Sequence, residues 1–187
     1  MKSVFLGLAA IPLMGMAPTG ATVVSVGGSS AASCYHAAAA RDTSVQAMDD
    51  CNTAIERETL SQGDHVASFV NRGILRLIQN DFRNAEADFT QAMTIEPTQA
   101  EAFLNMGIAH YQQGRIESAA KLFERSLALR TKFPAIAYFG RGLANEDRGD
   151  LKGAYADFRR ARELHPGWKA PVEELKRFQV RRKGQAS

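Results

Sequence analysis

From Val66 to Leu164 the apolar positions follow helical spacing, with polar residues and short turn signals between them. Val70, Ile74 and Leu77 fall at i, i+4 and i+7, the spacing of one helix face. Leu104, Ile108 and Tyr111 repeat it, and Phe139, Leu143 and Glu146 repeat it again with a carboxylate in the last place. The pattern predicts helices over 65–79, 82–95, 99–113, 116–130, 134–148 and 151–164. Tight turns at Asn80-Asp81, Gly114-Arg115 and Gly149-Asp150 separate the members of each pair. Upstream, 34–40 and 43–56 read as a short and a longer helix around a turn at Arg41-Asp42, and Thr59–His65 reads as a loop. Downstream, the chain leaves the pattern at His165-Pro166-Gly167. A last amphipathic helix is predicted over 168–183, with Pro171 in its first turn, Glu173 and Glu174 at its positive end and Val172, Leu175 and Phe178 as its stripe.

The helices come in copies. Sliding the sequence by 34 residues places Phe69 on Phe103, Asn71 on Asn105, Gly73 on Gly107, Ala85 on Ala119 and Phe89 on Phe123. A further shift of 35 brings in Tyr138, Gly142, Ala154, Phe158, Ala161, Leu164 and Pro166. A fixed period of this length marks a stacked array in which each unit covers its neighbour. Glycine inside a helix costs about 1 kcal/mol relative to alanine, so three glycines in register imply close helix–helix approach. Ala85, Ala119 and Ala154 supply the facing small residue, and Phe89, Phe123 and Phe158 lie one turn further on.

These residues resemble the tetratricopeptide repeat. Ala85-x3-Phe89, Ala119-x3-Phe123 and Ala154-x3-Phe158 fit its second helix, and Pro97 and Pro166 close two of the units. The first helix departs from the family pattern. Phe69, Phe103 and Tyr138 replace its Trp, Arg72, Met106 and Arg141 replace its Leu, and Arg76, His110 and Asn145 replace its Tyr. In the middle unit Thr131 stands at the closing proline, and Pro134 follows later. The resemblance implies an all-α, right-handed superhelical solenoid. It would hold three repeats at 66–99, 100–134 and 135–167, a degenerate first helix pair at 31–65, and a capping helix with a basic tail at 168–187. It also implies that the first helices line a concave groove, with Val70, Ile74, Leu77, Leu104, Ile108, Tyr111, Phe139 and Leu143 as the partner-binding residues. Family members that hold a peptide carboxylate carry Lys and Asn where Val70 and Ile74 stand, so an apolar groove is expected here.

The first residues read differently. Lys2 is the only charge before Arg41, Val4–Ala17 is an apolar run, and Thr19-Gly20-Ala21 offers small residues for cleavage. Residues 1–21 are therefore expected to be a secretory signal peptide, followed by a flexible spacer at 22–30. Export places the protein in the periplasm or outside the cell. In that setting the two cysteines, Cys34 and Cys51, are expected to form a disulfide. Ala47, Cys51 and Ala54 share the spacing of Ala85, Phe89 and Ala92, so Cys51 takes the register of the repeat phenylalanine. Cys34 lies 17 residues before it, against 16 for the repeat glycine. The two should thus face each other across a helix pair, the other reading being two buried thiols.

Charge and chemistry narrow the function. The chain carries 23 basic and 20 acidic residues. From Arg159 to Ser187 there are nine basic and three acidic ones, a local net of +6. That cluster reads as a solvated surface first, and as a weak contact with anionic membrane through 159–183 second. No aromatic interleaving points to nucleic acid. The four histidines, His36, His65, His110 and His165, are scattered, and no catalytic or metal motif is present, so neither an enzyme, a cofactor, a metal nor a small-molecule substrate is expected. Two expectations remain. One is an envelope interaction module or scaffold taking an apolar peptide or helix of a protein partner into the groove. The other is a structural subunit whose groove is filled by its own chain, with contacts made through the basic surface.

Overall fold

The computed structural model describes residues 29–178. The predicted signal peptide, the spacer up to residue 28, the segment 179–187 and the predicted helical turn at 179–183 lie outside the described residues. Among the described residues nine helices follow in chain order: α1 (Ser30–Ala40), α2 (Val45–Glu56), α3 (Gln62–Ile78), α4 (Phe82–Ile95), α5 (Ala100–Gln112), α6 (Ile116–Ala128), α7 (Pro134–Asp147), α8 (Leu151–Leu164) and α9 (Lys169–Arg177). No strand occurs among the described residues. The helices pack as consecutive antiparallel pairs, α1 with α2, α3 with α4, α5 with α6 and α7 with α8, and α9 closes the row against α8. First helices touch first helices, α1 on α3, α3 on α5 and α5 on α7, whereas α4, α6 and α8 make no comparable contact with one another. The array therefore bends with its first helices on the inner face.

The turns within units are set by single residues in the left-handed region. Asn80 (φ 60°), Gly114 (φ 73°) and Gly149 (φ 82°) end α3, α5 and α7. Arg130 (φ 59°) does the same after α6, where the closing proline of the other units is replaced by Thr131. Glu101 ties this exit down by accepting the Lys132 N–H at 2.9 Å. Two boundaries differ from expectation. Thr59–His65 is not a loop throughout, because α3 begins at Gln62 and carries Gly63 in its first turn. Ser61 caps the helix, accepting the Asp64 N–H at 3.2 Å, and its hydroxyl donates to the Asp64 carboxylate. Likewise α1 starts at Ser30, with Ser29 as its cap, four residues before the helix predicted at 34–40 and inside the predicted spacer.

The glycine–phenylalanine register organises the core. A Cβ at Gly73 would lie 2.5 Å from Phe89, one at Gly107 2.9 Å from Phe123, and one at Gly142 2.7 Å from Phe158. Each phenylalanine ring thus lies flush against the backbone of its partner helix. Phe123 is held from both sides, since Gly140 of the next unit would place a Cβ 2.6 Å from the same ring.

In the first pair the ring is replaced by a bond. Cys34 and Cys51 are fully buried and disulfide-linked with a Cα–Cα distance of 4.7 Å. Sulfurs bridge the helices where the other units use a ring against glycine. Glu58 adds a second tie from beyond α2, accepting the N–H groups of Ser30 (2.6 Å) and Ala31 (3.2 Å) at the start of α1. These bonds hold its carboxyl below the usual value against the opposing effect of burial. Replacing both cysteines by alanine should cost roughly 3 kcal/mol on the chain-entropy account of a loop this long. Loss of amide protection confined to α1 and α2 is the expected hydrogen-exchange signature, and two alkylatable thiols in the oxidised protein would remove the premise.

The departures in the first helices also have a physical cause. Arg72 replaces an apolar residue of the repeat, and its guanidinium meets Asp88 of α4, with Nη2 2.8 Å from Oδ1. Arg76 donates to the other carboxylate oxygen at 2.7 Å. The third unit repeats the device, with Arg141 Nη2 2.7 Å from Asp157 Oδ1 and Asn145 donating to Oδ2 at 3.1 Å. The bond to Asp157 pushes the Arg141 guanidinium further up. In the middle unit the same two registers hold Met106 and Leu122, an apolar pair.

Candidate functional site

The eight residues expected to line the groove all lie on α3, α5 and α7, the inner helices. They are not equally available. Val70, Ile74, Leu77, Leu104 and Phe139 are buried, and Ile108, Tyr111 and Leu143 are half-buried. The first three share a core with Cys34, Ala37 and Ala38 of α1 and with Ala102 and Met106 of α5. Leu104 packs with Phe133, Ile136 and Ala137 at the start of α7. Phe139 meets the Trp168 ring at 4.8 Å and the Phe158 ring at 5.6 Å, and Leu143 belongs to the same cluster as Trp168 and Leu175. The apolar stripe is therefore largely the contact surface between successive first helices. Helix spacing shows which face is apolar, but not that the neighbouring helix comes close enough to cover it.

What remains on the inner face is a half-buried apolar strip with an acidic edge. Tyr111 of α5 reaches across to α7 and donates to Asp147 Oδ2 at 2.8 Å. Burial and this bond to a carboxylate push the phenol well above its ordinary value. Next to it, burial raises Glu146, and the neighbouring Glu174 and Asp147 add to the effect against the opposing pull of Arg177. Arg177 of α9 spans this edge, donating to Glu146 at 2.7 Å and to Glu174, so it clips the capping helix to α7. The acidic edge was legible in sequence only as Glu146 ending the third apolar set.

A second polar centre joins the first and second units. Glu86 of α4 accepts from Gln113 Nε2 at 2.7 Å and from Arg115, while His110 Nε2 stands 3.7 Å from its other oxygen. Burial works against the Glu86 anion, but these donors outweigh it and hold the carboxyl down. Burial and the Arg115 charge hold His110 below its ordinary value. Its Nδ1 makes a 2.7 Å hydrogen bond with the Ser118 hydroxyl. Neither Glu86 nor its donors stand out in the sequence, because the cluster joins registers from two successive units.

Paired helices, inward first helices and the Gly–Phe register together define the unit, and a family profile of the tetratricopeptide repeat matches residues 70–130 and 104–167, just over half of the chain. The chain is a tetratricopeptide repeat protein. Two curated relatives are similar over about half of this chain. The regulatory protein AfsR of Streptomyces griseus is 32% identical over 99 residues, 49% of this chain and 10% of AfsR. The NADPH oxidase activator 1 of Rattus norvegicus is 31% identical over 101 residues, 54% of this chain and 22% of the relative. The chain thus spans between a tenth and about a fifth of their lengths.

Among solved structures, the Arabidopsis OM64 tetratricopeptide domain superposes with a TM-score of 0.59 at 23% identity, covering 64% of this chain and 98% of that one. The first such domain of Spaghetti (RPAP3), bound to an HSP90 peptide, gives 0.57 at 22% identity, covering 60% and 88%. MamA gives 0.53 at 19% identity with 71% of each chain covered. At these identities the likeness is one of fold. The fold is that of a protein–protein interaction module.

Proposed function

We propose that this tetratricopeptide protein is an interaction module of the cell envelope, holding a peptide or helical segment of a protein partner on its inner face. The observation that carries the reading is the strip of Ile108, Tyr111 and Leu143, half-buried on adjacent first helices and edged by Asp147 and Glu146. A partner helix laying apolar side chains on that strip would complete the burial that neighbouring helices begin. The bound peptide of the Spaghetti (RPAP3) domain supports peptide capture as a use of this fold. The export signal expected at 1–21 and the buried disulfide support an oxidising compartment.

One observation favours the second reading, a structural subunit with a self-filled groove. Trp168 already covers Phe139, and α9 is clipped to α7 through Arg177, leaving exposed cations such as Arg162 and Lys169 for an anionic membrane. The two readings separate in one experiment. A photo-crosslinking residue replaces Tyr111, the envelope fraction is irradiated, and the captured protein is tested against Tyr111→Asp and Arg162→Glu/Lys169→Glu at low and moderate salt. Loss of binding in Tyr111→Asp, with little salt dependence, is expected. Loss only in the charge-reversed variant, with steep salt dependence, would retire the inner face and favour the basic surface.

A further inference from the structure

The three junctions between a second helix and the following first helix differ at one register. Met48 on α2, Glu86 on α4 and Ala120 on α6 occupy it, each directly after the small repeat residue Ala47, Ala85 or Ala119. At the first junction Met48 packs into the core. At the second the Glu86 carboxylate fills the notch and takes hydrogen bonds from Gln113 and Arg115. At the third Ala120 stops at its Cβ, and a cleft of 510 Å³ opens between α6 and α7. It is lined by Glu117, Lys121, Glu124, Arg141, Asn145 and Arg148, with buried Ala120 among them. Arg148 stands in the register of Gln113, one of the donors to Glu86, and Asn145 in that of His110. Of the two donors to Glu86, the cleft thus keeps a cation in the place of Gln113, while Asp150 stands in that of Arg115, and the carboxylate itself is missing.

We propose that this cleft is a second docking site, which takes an aspartate or glutamate side chain of a protein partner into the place that Glu86 fills one unit earlier. Lys121 and Arg148 supply cations that no carboxylate among the described residues pairs with, while Arg141 and Asn145 are already engaged by Asp157. Glu117 and Glu124 lie one turn to either side of Lys121 on α6. They oppose a run of acidic residues and favour a single carboxylate with cations on its flanks. The partner segment is therefore of mixed charge, and the site lies between α6 and α7, outside the apolar strip on the inner face.

The test uses the full mature chain and the peptide acetyl-Lys-Gly-Glu-Gly-Lys-amide, with the same peptide carrying Gln for Glu as control. Nuclear magnetic resonance titration should show saturable shifts at the Ala120 methyl and the Arg148 Nε–H for the Glu peptide. The Gln peptide and the Arg148→Ala and Lys121→Ala variants should each bind about fivefold more weakly, the most that an exposed ion pair is worth. Ala120→Glu should place a carboxylate of the chain's own beside Arg148, fill the notch and abolish the shifts. If that variant fails to fold, the two alanine variants decide alone. Equal affinity for the Glu and Gln peptides, shifts confined to Arg159–Arg177, or undiminished binding by Arg148→Ala would overturn the proposal. None of these results depends on the inner-face reading, which Tyr111→Asp tests separately.

Discussion

Phe123→Ala should lower the stability of the array by about 3–5 kcal/mol, the range for emptying a buried phenylalanine site. The ring is 1% exposed and lies flush between Gly107 of its own unit and Gly140 of the next. Neither glycine has a side chain to move into the space, so the cavity would persist and its walls would lose contacts on one side. Phe158 offers a contrast. It touches Gly142 on one side, but its other neighbours include Phe139 and Phe178 near the capping end, where side chains can shift. Phe158→Ala should therefore cost less than Phe123→Ala. Because stability in a stacked array is carried by interfaces between neighbours, Phe123→Ala should also split one unfolding transition into two and reduce the apparent m-value. Urea titration followed by circular dichroism and tryptophan fluorescence reads both effects, since Trp168 reports on the C-terminal side. An equal or smaller loss than in Phe158→Ala would mean that the double glycine contact does not hold the units together.

The parts of the fold that could be read in sequence are those fixed by short-range spacing. Gly73 facing Phe89 recurs in three units, and Cys51 falls in the phenylalanine register, so the pairing of helices and the disulfide follow from counting residues. The start of α3 could not be read that way. Gly63-Asp64 carries the composition of a turn, yet Ser61 caps a helix through those residues, and a local bond outweighs composition there. The burial of the apolar stripe is not legible in sequence. Val70 and Ile74 are buried in one core with residues of α1 and α5, which depends on how far apart neighbouring helices settle. The notch at Ala120 was hidden for a similar reason. An alanine in a helix has no signal of its own, and its meaning appears only beside Met48 and Glu86.

The Arg72–Asp88 pair carries a faint sequence signal, an arginine 16 residues before an aspartate in both the first and the third units. In the middle unit Met106 and Leu122 occupy the same two positions, so the register accepts an apolar pair. Asp88→Ala should cost about 3–5 kcal/mol, because it strands a buried guanidinium. Arg72 Nε and Nη2 both donate to Asp88, and only the Nη1 bond to Asn52 at 2.8 Å would survive. The double variant Arg72→Met/Asp88→Leu, which copies the middle unit, should be neutral or more stable by up to about 1–4 kcal/mol, since neither charge then has to leave water. Arg76 loses its carboxylate in both variants, but it is less buried and keeps a bond to the Asn84 carbonyl at 3.3 Å, so it does not decide the comparison. Asp157→Ala should be milder than Asp88→Ala, because the Arg141 side chain is 27% exposed against 11% for Arg72. Thermal unfolding of the three variants beside the parent gives the ranking. A double variant as unstable as Asp88→Ala would show that the ion pair fixes the spacing of α3 and α4 in a way that an apolar pair does not reproduce.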